Sequence, residues 1–272
     1  MKLRHPLLAA ALAGALVVPS ALLATSAGAA TTTQVWVTNA YTYGAGHPFD
    51  YTVCLDGSPL ASLSTTESSG PITVETGAHE VEVYGSLDAD CADKPDFTRD
   101  IDIPEGAGAT IAIWWPFDSQ ATVSVFPEDM SCVDPGTGRV TLRNLAAYNG
   151  LDGLDVSATA SGGGTATLVN NVGQGEQATD TSPIGTYTDA AAVDTGTTDV
   201  RTAVAASLDV SETTRKVVYT YGGVDGDIGA YVVDMPSSAC VQPGTTAAPT
   251  TTVAPATAPA ATPVAAAPTY TG

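Results

Sequence analysis

Residues 71–84 read PITVETGAHEVEVY and contain two runs in which apolar and polar side chains alternate. Such alternation is typical of a strand with one buried face, and a turn residue between two such runs is typical of a hairpin. The stretch therefore predicts a hairpin of two strands joined by a tight turn at Thr76-Gly77-Ala78. A weaker copy, SPIGTYTDAAAV, returns at positions 182–193 and indicates an internal repeat.

The first predicted strand of the chain shows the same repeat. It reads TTTQVWVTN, and a later segment reads RVTLRN. When the two are aligned, Val35 falls on Val140. At the same offset, Val37 falls on Leu142. Because the apolar positions coincide at a constant spacing, the match indicates a repeated domain and not only a shared composition.

Short predicted strands separated by Gly and Asp-Gly turns continue through both copies, and the chain after its leader shows no helical periodicity. This pattern predicts an all-β fold. The sequence therefore predicts two tandem immunoglobulin-like antiparallel β-sandwich domains, repeat 1 at residues 30–130 and repeat 2 at residues 131–241. Each copy has about a hundred residues, which is enough to bury a core of its own.

Both ends of the chain differ in composition from the two repeats. Residues 1–29 have a basic start, an apolar run and a small-residue end, which is the pattern of a cleaved signal peptide. Residues 242–272 consist mainly of Thr, Ala and Pro and cannot form a core. We therefore expect an exported protein with a disordered Pro/Thr/Ala-rich tail and no transmembrane segment after signal cleavage.

The chain is strongly acidic. It has nine Lys and Arg residues against 29 Asp and Glu residues, a formal net charge of −20 at pH 7. Cleavage after residue 29 removes Lys2 and Arg4 and no acidic residue, so the charge becomes −22. An acidic surface repels phosphate backbones and anionic lipid. We therefore expect no nucleic-acid partner, and the charge favours solubility outside the cell.

Four cysteines lie in the two repeats: Cys54, Cys91, Cys132 and Cys240. An even number of cysteines in an exported protein favours disulfide bonds over free thiols. Four cysteines allow three connectivities, and the sequence alone does not decide between them. Because one pair lies within repeat 1 and the other pair brackets repeat 2, we expect the bonds Cys54–Cys91 and Cys132–Cys240.

The order of these features resembles a known family. A strand ending in Asn spans residues 34–39, and a strand leading to an Asp-Gly turn spans 50–57. A glycine followed by a Val-x-Val step lies within 74–83, and an Asp-Ile-Pro-Glu step lies within 101–113. In these motifs the chain is similar to the domain of unknown function 4397 family, which occurs in exported bacterial and archaeal proteins, often in tandem. The resemblance implies a β-sandwich and an extracellular location. It implies no activity and no functional residues.

Motifs for catalysis or for a cofactor are absent from the sequence. A nucleophilic serine or cysteine needs a base, usually histidine, and the chain after its leader offers only His47 and His79. There is no G-x-S-x-G and no H-E-x-x-H motif. The acidic residues of segment 88–96 could suit calcium but lack the spacing and the glycine of a calcium loop. We expect no catalytic site, metal or cofactor, and calcium binding by that segment stays open.

Two tryptophans give the one hint of a binding site. The alternation of TTTQVWVTN leaves Trp36 on the face opposite Val35 and Val37. That of ATIAIWW leaves Trp114 opposite Ile113. Exposed flat rings can stack on sugars or on a partner surface. The interpretation that we favour is that both rings pack under loops or between the domains, because Tyr219 and Tyr221 of repeat 2 do not follow the same face assignment.

The sequence thus predicts a secreted or cell-surface β-sandwich protein without enzymatic activity, which serves as a structural or interaction module for a protein or glycan partner. A carbohydrate- or polymer-binding protein that uses exposed Trp36 and Trp114 is the alternative, and a hydrolase is the remote alternative. The sequence names neither the ligand nor the oligomeric state, and it does not decide whether the tail is anchored to a cell wall.

The tail prediction can be tested by deletion of residues 244–272. We expect the melting temperature of the exported protein to stay nearly unchanged in calorimetry, because the tail has no apolar face that could dock on the domains. A decrease of several degrees would show that the tail is packed structure and would contradict the prediction.

Overall fold

A computed structural model of the 272-residue chain describes residues 31–41, 49–106, 108–116, 120–147, 153–222 and 228–240. The signal peptide predicted at residues 1–29, the tail predicted at residues 242–272 and His47 lie outside these ranges. The signal peptide and the disordered tail therefore stay predictions. No helix that could cross a membrane occurs in the described ranges.

The described residues form sixteen β-strands. They are β1 Thr32–Asn39, β2 Tyr51–Leu55, β3 Ser58–Leu63, β4 Ser68–Glu75, β5 Gly77–Tyr84, β6 Phe97–Ile103, β7 Ala109–Trp114, β8 Thr122–Pro127, β9 Thr137–Asn144, β10 Leu154–Thr159, β11 Thr165–Val172, β12 Gln177–Pro183, β13 Gly185–Asp194, β14 Val200–Val210, β15 Thr214–Gly222 and β16 Ile228–Pro236.

The strands form two sheets in each repeat. Repeat 1 contains the sheets β4-β1-β7-β8 and β3-β2-β5-β6, and repeat 2 contains the sheets β12-β9-β15-β16 and β11-β10-β13-β14. Each strand of the second copy takes the place of the strand eight positions earlier in the first. The structure therefore confirms the all-β fold and the two tandem sandwiches.

The strand pairs with a described register are antiparallel except for one pair in each copy. β1 pairs in parallel with β7, and β9 pairs in parallel with β15. These strands are central in their sheets. β7 is buried along its whole length, and β1 is buried from Val35 to Asn39. The near-continuous apolar segment ATIAIWW thus belongs to a strand that is covered on both faces.

The hairpin predicted for residues 71–84 is wrong in its pairing. Both strands form, but β4 pairs with β1 in one sheet while β5 pairs with β2 and β6 in the other. Gly77, at a φ of 112° that suits glycine, lies where the chain crosses between the sheets. Gly185, at a φ of 155°, has the same place in repeat 2. Alternation shows that a strand has a buried face, but it does not identify the neighbouring strand.

The described residues divide into two compact units, each with its own core. The first comprises residues 31–39, 49–106, 108–113 and 122–128, and the second comprises 40–41, 114–116, 120–121, 129–147, 153–222 and 228–240. In the second unit the inward residues of both sheets form one apolar cluster, which includes Val140, Leu142, Leu154, Val156 and Val218.

The disulfide bonds join the cysteine pairs that their placement in the sequence predicts. Cys54 is bonded to Cys91 in the first unit, with a Cα–Cα distance of 6.0 Å. Cys132 is bonded to Cys240 in the second unit and closes a sequence separation of 108 residues. In a chain-entropy estimate, a loop of that size stabilises the folded state by about 4–5 kcal/mol.

Close packing between the two sheets of repeat 2 can be tested at Gly138 on β9. A Cβ atom there would lie 2.3 Å from the carbonyl oxygen of Ser211. We expect Gly138→Ala to lower the free energy of unfolding by about 1–3 kcal/mol through overpacking, as measured by calorimetry. Gly162→Ala is the matched control, because nothing lies within 4 Å of its Cβ position. Equal melting temperatures of the two variants would contradict this prediction.

Candidate functional site

The two tryptophans predicted as exposed ligand contacts are buried. Trp36 and Trp114 each expose 5% of their surface. They lie on β1 and β7, the two central strands of one sheet. The hypothesis of exposed rings therefore finds no support, and the burial agrees with the interpretation that both rings are packed inside the protein. Alternation leaves one face to solvent only where the outer face of a sheet meets water, and here both faces of these strands are covered.

Glycines make room for both indole rings. A Cβ atom on Gly108 would lie 2.9 Å from Trp36 Cζ3, and one on Gly70 would lie 3.0 Å from Trp36 Cδ1. A Cβ atom on Gly175 would lie 3.2 Å from Cη2 and Cζ2 of Trp114. Both tryptophans are thus packing residues, and neither offers a stacking surface to a ligand.

The ring of His79 contacts one group of repeat 1 with each of its two nitrogen atoms. Its Nδ1 lies 2.6 Å from Asp56 Oδ2, and its Nε2 lies 3.0 Å from the carbonyl oxygen of Glu75. Asp56 also accepts a hydrogen bond of 2.8 Å from the amide of Glu80. The Glu80 amide, and after it the His79 ring, lower the pKa of the Asp56 carboxyl. The ring thus ties the turn after β2 to the end of β4.

This contact lacks the nucleophile that a hydrolase needs. Ser58 lines the same groove as His79, but among the described residues it makes no hydrogen bond to either ring nitrogen. Nε2, the atom that would have to accept a proton from a hydroxyl, faces the carbonyl oxygen of Glu75 instead. The geometry of His79 is that of a structural contact.

Residues 85–96 form a loop that is fastened to the β3-β2-β5-β6 sheet. Cys91 in the loop is bonded to Cys54 of β2, and both are buried together with Tyr84. The Tyr84 hydroxyl donates hydrogen bonds to the carbonyl oxygens of Cys91 at 3.0 Å and Asp93 at 3.2 Å. Burial raises the pKa of the Tyr84 phenol, which keeps this donor protonated.

Two of the four carboxylates of this loop bind the loop's own backbone. Asp90 accepts a hydrogen bond from the amide of Ala92 at 3.1 Å, and Asp96 accepts one from the amide of Gly85 at 2.5 Å. Within the part of the chain that the structure describes, no group of three or more His, Cys, Asp or Glu side chains could hold a metal ion.

Three arginine side chains of repeat 2 are buried. Arg139, Arg143 and Arg215 expose 7%, 0% and 2% of their surface. Arg139 donates hydrogen bonds to the carbonyl oxygens of Asp129 and Ser131, and Arg215 donates one to that of Asp129. The hydroxyl and the amide of Ser131 donate hydrogen bonds to the Asp129 carboxylate, and these bonds are the main reason why the pKa of Asp129 is lowered. Buried arginines leave the protein surface still more acidic than the composition alone indicates.

An open groove lies on the outer face of the β11-β10-β13-β14 sheet. Its volume is about 380 Å³, and the residues along it include Ser157, Thr159, Thr165, Thr167 and Ala191. The sequence motifs do not predict this groove. The sequence feature that could have indicated it is the spacing of hydroxyl residues at every second position in the segments VSAT and TATL. The same spacing is common in any strand with one face in water, so it is not specific for a groove.

No family model and no curated protein matches this chain. Among solved structures it is similar to the Bacillus anthracis TIE protein, with a TM-score of 0.23 and 11% identity over 70% of this chain and 33% of that chain. A leucine-rich repeat protein from Bacteroides thetaiotaomicron VPI-5482 matches with a TM-score of 0.18 and 13% identity over 78% of this chain and 27% of that chain. The chain thus spans at most about a third of these structures, and neither match carries an argument.

The contact between Asp56 and His79 predicts a pH dependence of stability. The pKa of Asp56 lies below its ordinary 3.8 in the folded protein. The carboxylate therefore stabilises the fold above that value and loses this effect as the pH falls through the folded pKa. We expect Asp56→Asn to lower the free energy of unfolding at pH 7, measured in urea, and the difference to vanish in acid. Because the side chain is 54% exposed, screening keeps the effect below about 1 kcal/mol.

Asp100→Asn is the matched control, since Asp100 is exposed on β6 and its carboxylate makes no hydrogen bond within the described residues. A loss of stability at pH 7 as large as that of Asp56→Asn would contradict the role given to the histidine contact.

Proposed function

We propose that this chain is an exported, non-catalytic protein of the cell surface or the medium, in which two β-sandwiches act as a structural or interaction module. The observation that carries this proposal is the use of the reactive side chains in folding contacts. All four cysteines form disulfide bonds, and His79 is held between Asp56 and the Glu75 carbonyl oxygen.

Export is supported by three features. The leader at residues 1–29 has the pattern of a signal peptide. Two disulfide bonds fit an oxidising compartment. The resemblance to the domain of unknown function 4397 family, which we propose as the family of this chain, implies an extracellular location. Together they favour a secreted protein or one held at the cell envelope.

The partner is expected to be a protein or a glycan. A net charge of −20 disfavours nucleic acid and anionic lipid. The alternative of carbohydrate binding through exposed aromatics no longer has support, because Trp36 and Trp114 are buried. Binding to a polymer therefore needs another surface.

A two-part experiment tests this function. Protein collected from the medium of an expressing bacterium should begin near Ala30 by N-terminal sequencing. It should show no turnover of ester, glycan or peptide substrates, because no described histidine is paired with a nucleophile. His79→Gln serves as the matched variant, and its turnover should equal the background of the parent protein.

Each part has an outcome that contradicts the proposal. Retention of the uncleaved chain inside the cell would overturn export. Turnover that His79→Gln or another single substitution abolishes would overturn the non-catalytic role and would favour the hydrolase alternative.

A further inference from the structure

Corresponding sheet faces in the two repeats are used differently. On the second strand of repeat 1, Cys54 lies opposite Glu82 of β5. On the second strand of repeat 2, Ser157 lies opposite Ala191 of β13. All four side chains are on the outer face, because the inner face is formed by the residues adjacent to them, such as Val53 and Val156.

In repeat 1 this outer face is covered. The Cys54–Cys91 bond fastens the loop of residues 85–96 to it. Ala89 packs against the buried cluster of Cys54, Cys91 and Tyr84. The loop therefore leaves little of the face for a ligand.

In repeat 2 the same face is open. The segment that joins β13 to β14, residues 195–199, contains no cysteine. It is held at the edge of the sheet by Asp155, which accepts hydrogen bonds from the Thr195 hydroxyl at 2.8 Å and from the amides of Asn171 and Gly196. No disulfide-bonded loop crosses the face, so a groove of about 380 Å³ remains, which lies in the size range of ligand sites.

Five of the six hydroxyl groups along this groove are free to bind a ligand, whereas the sixth, that of Thr197, donates a hydrogen bond to the carbonyl oxygen of Asp194. Among the described residues, those of Ser157, Thr159, Thr165, Thr167 and Thr198 make no hydrogen bond to the protein. Some hydroxyls on other sheets of the chain are paired with each other instead. Thr141 and Thr179 bond each other at 2.8 Å, and so do Thr52 and Ser62 at 3.0 Å. A row of unpaired donors and acceptors on one face is the feature that a polar ligand can use.

The charge and the apolar residues of the groove define the ligand further. No Lys or Arg lines it, and Asp189 is its one carboxylate. An anionic polymer would meet only repulsion in a chain of net charge −20. Ala191 and Val200 supply apolar contact area, and Val200 is 63% exposed. A neutral glycan has both the hydroxyls and the C–H faces that this combination can bind.

We infer that the outer face of the β11-β10-β13-β14 sheet is a binding site for a neutral glycan. This inference rests on the proposed function as an interaction module and gives that module a site and a ligand class. The hydroxyls of β10 and β11 bind sugar hydroxyls, and the apolar residues of β13 and β14 contact the sugar ring.

The test is binding of the exported full chain to immobilised cellohexaose, maltohexaose, mannohexaose and N-acetylchitohexaose, with hyaluronan as the anionic control. We expect binding to at least one neutral glycan and none to hyaluronan. Ala191→Trp, which fills the groove, should raise Kd at least tenfold. Thr181→Trp is the matched control, because Thr181 is exposed on β12 in the other sheet of the same unit, and its Kd should stay within twofold.

A second variant tests the site without a change in side-chain size that could disturb the fold. Thr167→Val keeps the shape of an exposed side chain and removes one unpaired hydroxyl. It should raise Kd by about threefold to tenfold, which is the usual effect of one lost hydrogen bond, and leave the melting temperature unchanged.

Several results would overturn the inference. They are no binding to any of the four neutral glycans, binding that Ala191→Trp leaves unchanged, and self-association that Ala191→Trp abolishes, which would assign the face to a second copy. Failure of the broader function is distinguishable. Hydrolysis of a bound glycan would refute the non-catalytic role and leave the site, whereas absence of both binding and turnover would refute the site alone.

Discussion

Both sandwiches depend on the pairing of the first strand of each copy with the seventh. β1 lies between β4 and β7, and β9 lies between β12 and β15, so each first strand is hydrogen-bonded along both edges. The bond ladder joins distant residues, such as Val35 with Ala109. A parallel pair requires a long crossover connection. Each sheet is therefore complete only when most of its copy has folded, which makes each copy a fold of long-range contacts.

This constraint separates what the sequence could predict from what it could not. Local alternation and turn residues located the strands, as at Asp56-Gly57, where positive φ values of 51° and 74° join β2 to β3. The constant spacing of apolar residues likewise predicted the repeat, and the placement of the cysteines predicted the two disulfide bonds. The partners of β4 and β5 and the burial of Trp36 were not, because they depend on which strands become central, and that is decided by residues far away in the chain.

The distribution of charge is shaped by the burial of three arginines, Arg139, Arg143 and Arg215. Arg143 lies 5.3 Å from the ring of Tyr219, which stacks on Tyr231 at 5.0 Å. Arg139 and Arg215 bind backbone carbonyl groups. A buried guanidinium needs such partners because desolvation is unfavourable. Among the described residues the carboxylates other than Glu128 and Asp155 are not buried, so the resulting field disfavours polyanions and has little effect on neutral ligands.

The two copies differ in how they use the chain between their fifth and sixth strands. In repeat 1 that connection is the disulfide-fastened loop 85–96, and β5 and β6 have 8 and 7 residues. In repeat 2 it is shortened to residues 195–199, and β13 and β14 have 10 and 11 residues. Chain that covers a sheet face in the first copy thus extends the sheet in the second. Because only the outer face of repeat 2 is open, the protein has one copy of the inferred glycan site. Duplication of the domain therefore gives no gain in avidity.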